Sequence, residues 1–415
     1  MVRKFIISAF IFLFVLKGEA QQHWSLDQLL EKAVEHYPAT KQKEYVRSLG
    51  KENVKILGFN EYPQVSVTGQ ATYQSEVTKF SFTGIVSPKP DNYNIGLDLR
   101  YPLTEFDVLK SKKEIEEART ELGIQQLDID LQKVKERVTA LYGNILLQKE
   151  NKKILLVRKS ELETQTKKVA SAVANGAVLK SNQLVLESEI LSTEQKVADI
   201  DATLTALTQE LSLLTGITIA ADNDFVLPAA DILQAEINRP EIKLFQSQIG
   251  LLTMQDKLLK KENRAKLYLF GQGFYGRPGY NFLNQSFRPY GIAGVGINWN
   301  INNSVTQKNK EKTNAINRQI VEQQQTTFEL NLQTALLQKQ TEINKYQFII
   351  SKDQEIVGKR KEILKVASSQ LENGAITSTE YITELNAENS AELNLLFHQI
   401  QRVIARVQYN SLAGY

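Results

Sequence analysis

The C-terminal half of the chain repeats the landmarks of the N-terminal half in the same order, at an offset of about 200 residues. Pro38 corresponds to Pro240, and Asn175-Gly176-Ala177 corresponds to Asn373-Gly374-Ala375. Each half has the same predicted order of a helix, two strands, a long helix, a turn and a final helix. Because the same faces must be buried twice, we predict one body of two similar repeats rather than independent domains.

The first 20 residues have the three parts of a secretory signal peptide. Arg3 and Lys4 are basic, Phe5 to Leu16 are mostly apolar, and small residues precede a cleavage point after Ala20. A membrane anchor is the alternative, but an apolar core of about 12 residues is short for a membrane span. No later stretch is apolar enough to predict a transmembrane helix.

Composition excludes several classes of protein. Removing the signal, with its three basic residues and one acidic residue, lowers the formal net charge from +3 to about +1. That balance does not favour binding to nucleic acid. Cysteine is absent, which excludes disulfides and thiolate metal sites.

Four segments alternate apolar and polar residues with a period of two. In the first of them, Val65, Val67 and Tyr73 face one way, while Ser66 and Thr68 face the other. Strands of about ten residues with one apolar face and one polar, glycine-rich face are typical of a transmembrane β-barrel with a wet lumen. A soluble, half-buried antiparallel sheet gives the same alternation and is the alternative.

The third of these segments fits the alternation poorly. Tyr268, Phe270 and Phe274 occupy the face that is expected to be polar. Four strands cannot close a barrel, and an open edge is not tolerated in lipid. If the sheet lies in a membrane, several chains must therefore share one barrel.

The helical segments carry heptad repeats. Leu127, Leu131, Val134, Val138, Leu141 and Ile145 recur at spacings of four and three, as do Val197, Ile200, Leu204, Leu207, Leu211 and Leu214. Asn-Gly is a good helix stop, so Gly176 and Gly374 are predicted to be the tips of antiparallel helical hairpins. A helix over 107–168 is about 90 Å long, and the shorter helices placed end to end match that length. These lengths predict a helical conduit on one side of the sheet.

The predicted boundaries follow from these patterns. The first repeat is residues 21–216, the linker 217–239 and the second repeat 240–415. The expected strands are 63–74, 92–103, 265–276 and 291–302. The expected helices are 39–61, 107–168, 178–214, 241–264, 304–367 and 377–412, with tips at 175–177 and 373–375.

In this order, and with this doubling, the chain resembles the TolC-like outer-membrane efflux channel family of Gram-negative bacteria. The resemblance rests on Ser25 to Ala33 followed by Pro38, on the doubled tips, and on Leu227-Pro228 leading to Arg239-Pro240-Glu241-Ile242. It implies an α+β homotrimer with a 12-stranded transmembrane β-barrel, four strands per chain, continued by a periplasmic α-helical coiled-coil tunnel. The implied location is the cell outer membrane.

The resemblance also implies a function and partners. The chain would be the exit duct of a tripartite efflux or secretion system, receiving substrates from an inner-membrane pump or ABC transporter through a periplasmic adaptor protein. An exit duct for type I protein secretion is one alternative. A secreted, soluble coiled-coil scaffold is the other, and it does not explain the paired strands placed identically in each half.

Site residues follow from the same resemblance. The adaptor would contact the tips at Asn175, Gly176, Asn373 and Gly374, although these residues could serve only as helix stops. Glu380 matches an acidic position of the family's lumen gate, where three copies would attract cations. The second acidic position falls on Thr383, next to Glu384, so Glu384 is the other gate candidate. A solvated helix face is the alternative for both glutamates.

The family's latch arginine would fall on Ile376, so that bond is absent or rebuilt in this chain.

Nothing in the sequence indicates an enzyme. His23, His36 and His398 have no metal-ligand spacing, and no nucleophile elbow, phosphate loop or dinucleotide fingerprint occurs. We therefore expect no catalytic residues, no cofactor, no metal and no nucleic-acid partner.

Overall fold

The computed structural model describes residues 23–79, 87–228 and 237–415. The predicted signal peptide lies outside these residues, as do parts of the first strand–strand loop and of the inter-repeat linker. Within the described residues, no helix is at once long and apolar enough to cross a membrane.

The chain contains seven helices and six strands in its described residues. The helices are α1 (Leu26–His36), α2 (Pro38–Phe59), α3 (Phe106–Ala174), α4 (Lys180–Thr215), α5 (Pro240–Glu262), α6 (Asn302–Glu372) and α7 (Ser378–Ala413). The strands are β1 (His23–Trp24), β2 (Gln64–Tyr73), β3 (Asp91–Pro102), β4 (Asp224–Phe225), β5 (Lys266–Arg277) and β6 (Arg288–Asn298).

The elements fall into two compact units. The helical unit comprises the described residues of 23–37, 134–228 and 338–411, and the sheet-bearing unit comprises those of 38–133, 237–337 and 412–415. Each unit takes residues from both halves of the sequence.

The sheet-bearing unit contains one antiparallel sheet in the strand order β2-β3-β5-β6. In the described part of the chain, β2 and β6 are each paired on one side only. Val67, Leu97 and Ile297 share one face, on which they are 72%, 55% and 67% exposed. This sheet therefore presents an uncovered apolar face together with two open edges.

Three aromatic residues of β5, Tyr268, Phe270 and Phe274, lie on the opposite face, where each pairs with a glycine of a neighbouring strand. Tyr268 pairs with Gly296, and Phe274 pairs with Gly96. A Cβ atom at Gly296 would lie 2.3 Å from Tyr268 Cζ, and one at Gly96 would lie 2.4 Å from Phe274 Cδ1. The rings thus cover neighbouring glycines, a known way of stabilising glycine in sheets. This packing explains the poor alternation of the third segment.

Strand β6 differs from its predicted range. It was expected over 291–302, but it begins at Arg288 and ends at Asn298. The Trp299 indole instead donates a hydrogen bond to the backbone oxygen of Asn263, 3.0 Å away, just after α5. Helix α6 then begins at Asn302, so Ile301 is not a strand residue. The predicted alternation beyond Asn298 was wrong.

The heptad positions form the core of the helical unit. Val138 and Ile145 of α3 and Leu211 of α4 are fully buried, and Leu204 of α4 is almost so. Helices α3 and α6 extend beyond their predicted ends, to Ala174 and Glu372.

The two-residue strands β1 and β4 form a small parallel sheet that is fastened to this core. The Tyr142 hydroxyl is shared between the backbone oxygens of Trp24, 2.9 Å away, and Val226.

Candidate functional site

The two predicted hairpin tips have the same local structure. After α3, Gly176 has φ 71°, and its N–H donates to the Val173 oxygen while the Ala177 N–H donates to the Ala172 oxygen. These two bonds form a Schellman motif, which ends a helix with a left-handed residue that is usually glycine.

The motif recurs after α6. Gly374 has φ 70°, with its N–H bonded to Leu371 and the Ala375 N–H bonded to Gln370. The prediction that these glycines stop the helices is confirmed.

The space around both tip glycines is open. A Cβ atom at Gly176 or Gly374 would meet no atom within 4 Å in the described residues. A groove of about 470 Å³ runs between the two tips and is lined by apolar residues from both hairpins. Its apolar wall includes Val169, Val178, Leu179, Leu371 and Ile376.

An ion pair marks the rim of this groove, which we call the tip groove. Lys168 of α3 and Glu372 of α6 are 2.7 Å apart, and the Lys168 ammonium lowers the pKa of Glu372 by hydrogen bonding and by its charge. Leu179 is 74% exposed there. The tips therefore combine an open apolar wall with a charged edge.

Glu380 lies on the tip groove and also caps α7. Its carboxylate accepts hydrogen bonds from the N–H and the hydroxyl of Thr377, at 2.7 and 2.9 Å. Its own N–H donates to the Thr377 hydroxyl at 3.3 Å, which completes a capping box. The hydrogen bond from the Thr377 N–H, and to a smaller extent that from the Thr377 hydroxyl, lower the pKa of Glu380. We predicted the tip and the gate as separate sites, but Glu380 and Gly374 line the same groove.

Glu384, the second gate candidate, is joined to α6. Arg360 Nη1 donates to Glu384 Oε2 at 3.1 Å. Arg360 was not predicted as its partner. Arg360 lies 14 residues before Gly374 and Glu384 lies ten residues after it, so a helical hairpin that turns at Gly374 brings the two segments side by side. Ile376, at the latch position, instead packs partly buried against the core near the tips.

A buried arginine ties three helices together in the same unit. Arg158 of α3 is 4% exposed, and its guanidinium donates to Glu189 of α4 and to Asn386 of α7. Sequence reasoning did not single it out, because its partners come from distant parts of the chain.

Metal-binding geometry does not occur in the part of the chain that the structure describes. No group of three or more His, Cys, Asp or Glu residues is arranged to hold an ion there. His398 contacts Asp353 at 2.6 Å and packs against Tyr346, which is an interhelical contact between α6 and α7.

Residues 29–217 match the model of the outer membrane efflux protein family. The predicted resemblance to the TolC-like outer-membrane efflux channel family is confirmed. The predicted location, the outer membrane of a Gram-negative bacterium, is confirmed as well. This is a family of membrane channel proteins rather than of enzymes.

Solved structures share this fold across most of their length. The chain is similar to the outer membrane protein VceC of Vibrio cholerae, with a TM-score of 0.71 and 13% identity over 94% of this chain and 96% of that one. It is similar to the CmeC outer membrane channel of Campylobacter jejuni, with a TM-score of 0.68 and 12% identity over 94% of this chain and 86% of that one. It is also similar to the open state of the MtrE outer membrane channel of Neisseria gonorrhoeae, with a TM-score of 0.69 and 16% identity over 94% of this chain and 89% of that one.

At these identities the likeness concerns the fold, which is mostly helical with a small sheet. No curated protein matches the chain in sequence.

Proposed function

We propose that three copies of this chain form the exit duct of a tripartite efflux system. The observation that carries the proposal is the sheet of four strands with an exposed apolar face and open edges at β2 and β6. An apolar face of that kind suits lipid, and open edges in lipid must be paired. Pairing β2 of one copy with β6 of the next removes both edges, and three copies give a closed barrel of twelve strands.

We propose that the helices of the three copies continue this barrel as a periplasmic tunnel. Support comes from unpartnered apolar side chains on the helices. Leu184 and Leu191 of α4 are 54% and 66% exposed and lie one heptad apart, which is the spacing of a coiled-coil seam. Neighbouring copies would cover such seams.

The division into two repeats with a linker at 217–239 is part of this proposal. It is supported by equivalent elements in each half: β2 and β3 with α3 and α4, and β5 and β6 with α6 and α7.

The tip groove is the proposed docking place of the periplasmic adaptor, which connects the duct to an inner-membrane pump. Asn175, Gly176, Asn373 and Gly374 form its turns, and the open space above both glycines leaves room for a partner helix. Glu380 and Glu384 are the proposed gate, where copies from three chains would make the lumen attractive to cations.

The experiment that tests the duct is purification in detergent, followed by mass determination and planar-bilayer recording. A trimer with discrete, cation-preferring current steps is the expected result. A water-soluble monomer that does not associate with lipid would overturn the proposal and favour a secreted coiled-coil scaffold. Trimers without conductance would support the proposed assembly and contradict the proposed channel function.

A further inference from the structure

An open cavity of about 540 Å³ lies in the helical unit between α3, α6 and α7. Three carboxylates line it: Glu161 of α3, and Glu388 and Glu392 of α7. Its apolar lining includes Leu364, Tyr381 and Leu385. The cavity shares Gln165 with the tip groove but none of its carboxylates.

Two buried acceptors of this cavity, on Gln165 and Asn389, lack hydrogen-bond partners among the described residues, and one buried donor, Arg158 Nε, lacks one as well. Asn389 lines the cavity and is 5% exposed, yet its Oδ1 atom has no hydrogen-bond partner among the described residues. A buried amide oxygen without a donor is unfavourable, because it has lost its hydrogen bonds to water. This oxygen therefore needs a hydrogen-bond donor that the described residues do not supply.

Two of the three cationic side chains that line the cavity are engaged, and the third, Lys365, is exposed. Lys361 of α6 pairs with Glu392 at 2.5 Å, and the Arg158 guanidinium is held by Glu189 and Asn386. Glu388 itself forms no ion pair with the described residues and is 8% exposed.

Burial, reinforced by the charge of Glu392, raises the pKa of Glu388 from its ordinary value of 4.5 to about 7. Lys361 opposes this shift, and Glu161 adds to it. A buried carboxyl in such surroundings holds a proton unless a cation takes its place.

We propose that this cavity binds a small amphipathic organic ammonium ion. Its N–H groups donate to the Glu388 carboxylate and to Asn389 Oδ1, and its apolar body lies against Tyr381 and Leu385. An ammonium group offers three donors and no acceptor, which complements a site that has spare acceptors. A metal ion is a poorer fit, because no three carboxylate or histidine ligands converge among the described residues.

On binding, the ammonium ion takes the place of the proton at Glu388. The neutral carboxyl releases its proton to solvent, and the resulting carboxylate pairs with the ammonium ion. Affinity should consequently rise with pH until Glu388 is fully ionised.

The test uses the full chain in detergent with 2-phenylethylamine as the probe, followed by titration calorimetry at pH 6 and pH 8. We expect saturable binding that is about tenfold weaker at pH 6, because Glu388 is then mostly protonated. 2-Phenylethanol, which has the same body without the charge, should bind far more weakly. Calorimetry in buffers of different ionisation enthalpy should show uptake of the released proton by the buffer.

Two variants locate the site. Glu388→Gln should weaken binding about tenfold or more, because a charge-assisted hydrogen bond is lost. Glu372→Gln, which alters a carboxylate at the tip groove, is the matched control and should bind as the unaltered chain does. Circular dichroism checks that both variants fold.

Three results would each overturn the proposal: equal binding of 2-phenylethanol, unaltered binding by a folded Glu388→Gln, or no saturable binding, which would mean that only water fills the cavity. Should Glu388→Gln not fold, proton release by the unaltered chain still decides. None of these readouts depends on conduction or export, so the site and the proposed duct can fail independently.

Discussion

Thr377 and Glu380 cap the N-terminus of α7 reciprocally. The Thr377 N–H donates to the Glu380 carboxylate at 2.7 Å, and the Glu380 N–H donates to the Thr377 hydroxyl at 3.3 Å. A carboxylate at a helix N-terminus is favoured by the helix dipole and by the unpaired N–H groups. Any test of Glu380 as a gate residue must therefore separate its charge from its role as a cap.

Glu380→Gln separates the two roles, because a glutamine side chain can accept the same hydrogen bonds without the charge. We expect folded trimers and a K⁺/Cl⁻ permeability ratio that moves toward one. The reversal potential in a KCl gradient across a planar bilayer measures that ratio. Glu380→Ala, which loses the cap as well, is the matched comparison for structural effects. An unaltered ratio in Glu380→Gln would remove this residue from the gate.

The tip glycines allow a second test, because a Cβ atom added at Gly374 would meet no atom within 4 Å in the described residues. Gly374→Leu places a side chain at φ 70°, which costs about 1–2 kcal/mol locally. We expect trimers to persist and export to fall severely, since the side chain obstructs the proposed adaptor contact. Export of a fluorescent dye from cells that lack their own duct is the measurement.

Gly374→Asn is the control, because asparagine adopts this backbone conformation more readily than leucine does. Its export should fall less than that of Gly374→Leu. Normal export by Gly374→Leu would leave Gly374 as a helix stop only.

The heptad helices were predictable because their pattern is local and long. Val138 and Ile145 are spaced as a seam requires, and both are fully buried. The helix stops were predictable for a similar reason, since Asn-Gly fixes a left-handed residue from two adjacent positions.

What the sequence did not predict depends on contacts between distant segments. Tyr268 breaks the alternation of β5 because it covers Gly296 on the neighbouring strand, and this need is invisible within β5 itself. The end of β6 depends on the bond from Trp299 to Asn263, which lies before β5. Arg360 could be matched to Glu384 only after the hairpin around Gly374 had been assumed.

Close helix packing in the sheet-bearing unit gives a third prediction. A Cβ atom at Gly50 of α2 would lie 2.1 Å from Thr120 Oγ1 and 2.9 Å from Thr120 Cβ on α3. The Thr120 hydroxyl donates to the Glu116 oxygen at 2.9 Å, which restrains its rotamer. Gly50→Ala should therefore lower the free energy of unfolding by about 1–3 kcal/mol through overpacking.

Thermal unfolding in detergent measures this effect, and two further variants control it. Gly250→Ala on α5, where no atom lies within 4 Å of the new methyl group, should instead stabilise the protein by about 0.5–1 kcal/mol. Adding Thr120→Ala to Gly50→Ala should recover part of the loss, because the two side chains are coupled. Equal effects of Gly50→Ala and Gly250→Ala would contradict the close approach.

The buried carboxyl of Glu388 makes stability depend on pH in a direction opposite to that of most acidic groups. Its pKa is raised from 4.5 to about 7, so the native state binds more protons than the unfolded chain between these values. Stability therefore falls as pH rises through this window, by at most about 1.4 kcal/mol per pH unit. Glu388→Gln carries no proton to lose and escapes this effect.

The measurement is the difference in unfolding midpoint between the unaltered chain and Glu388→Gln, taken from pH 5 to pH 8. We expect the unfolding midpoint of the unaltered chain to fall relative to that of Glu388→Gln up to about pH 7. Above that value the difference should be constant. Glu372→Gln provides the contrast. The pKa of Glu372 is lowered by Lys168, so its contribution is lost only below its ordinary pKa of 4.5 and should be constant over this range. A constant difference for Glu388→Gln would mean that Glu388 is already ionised in the native state, and that the helices around it accommodate the charge without an added cation.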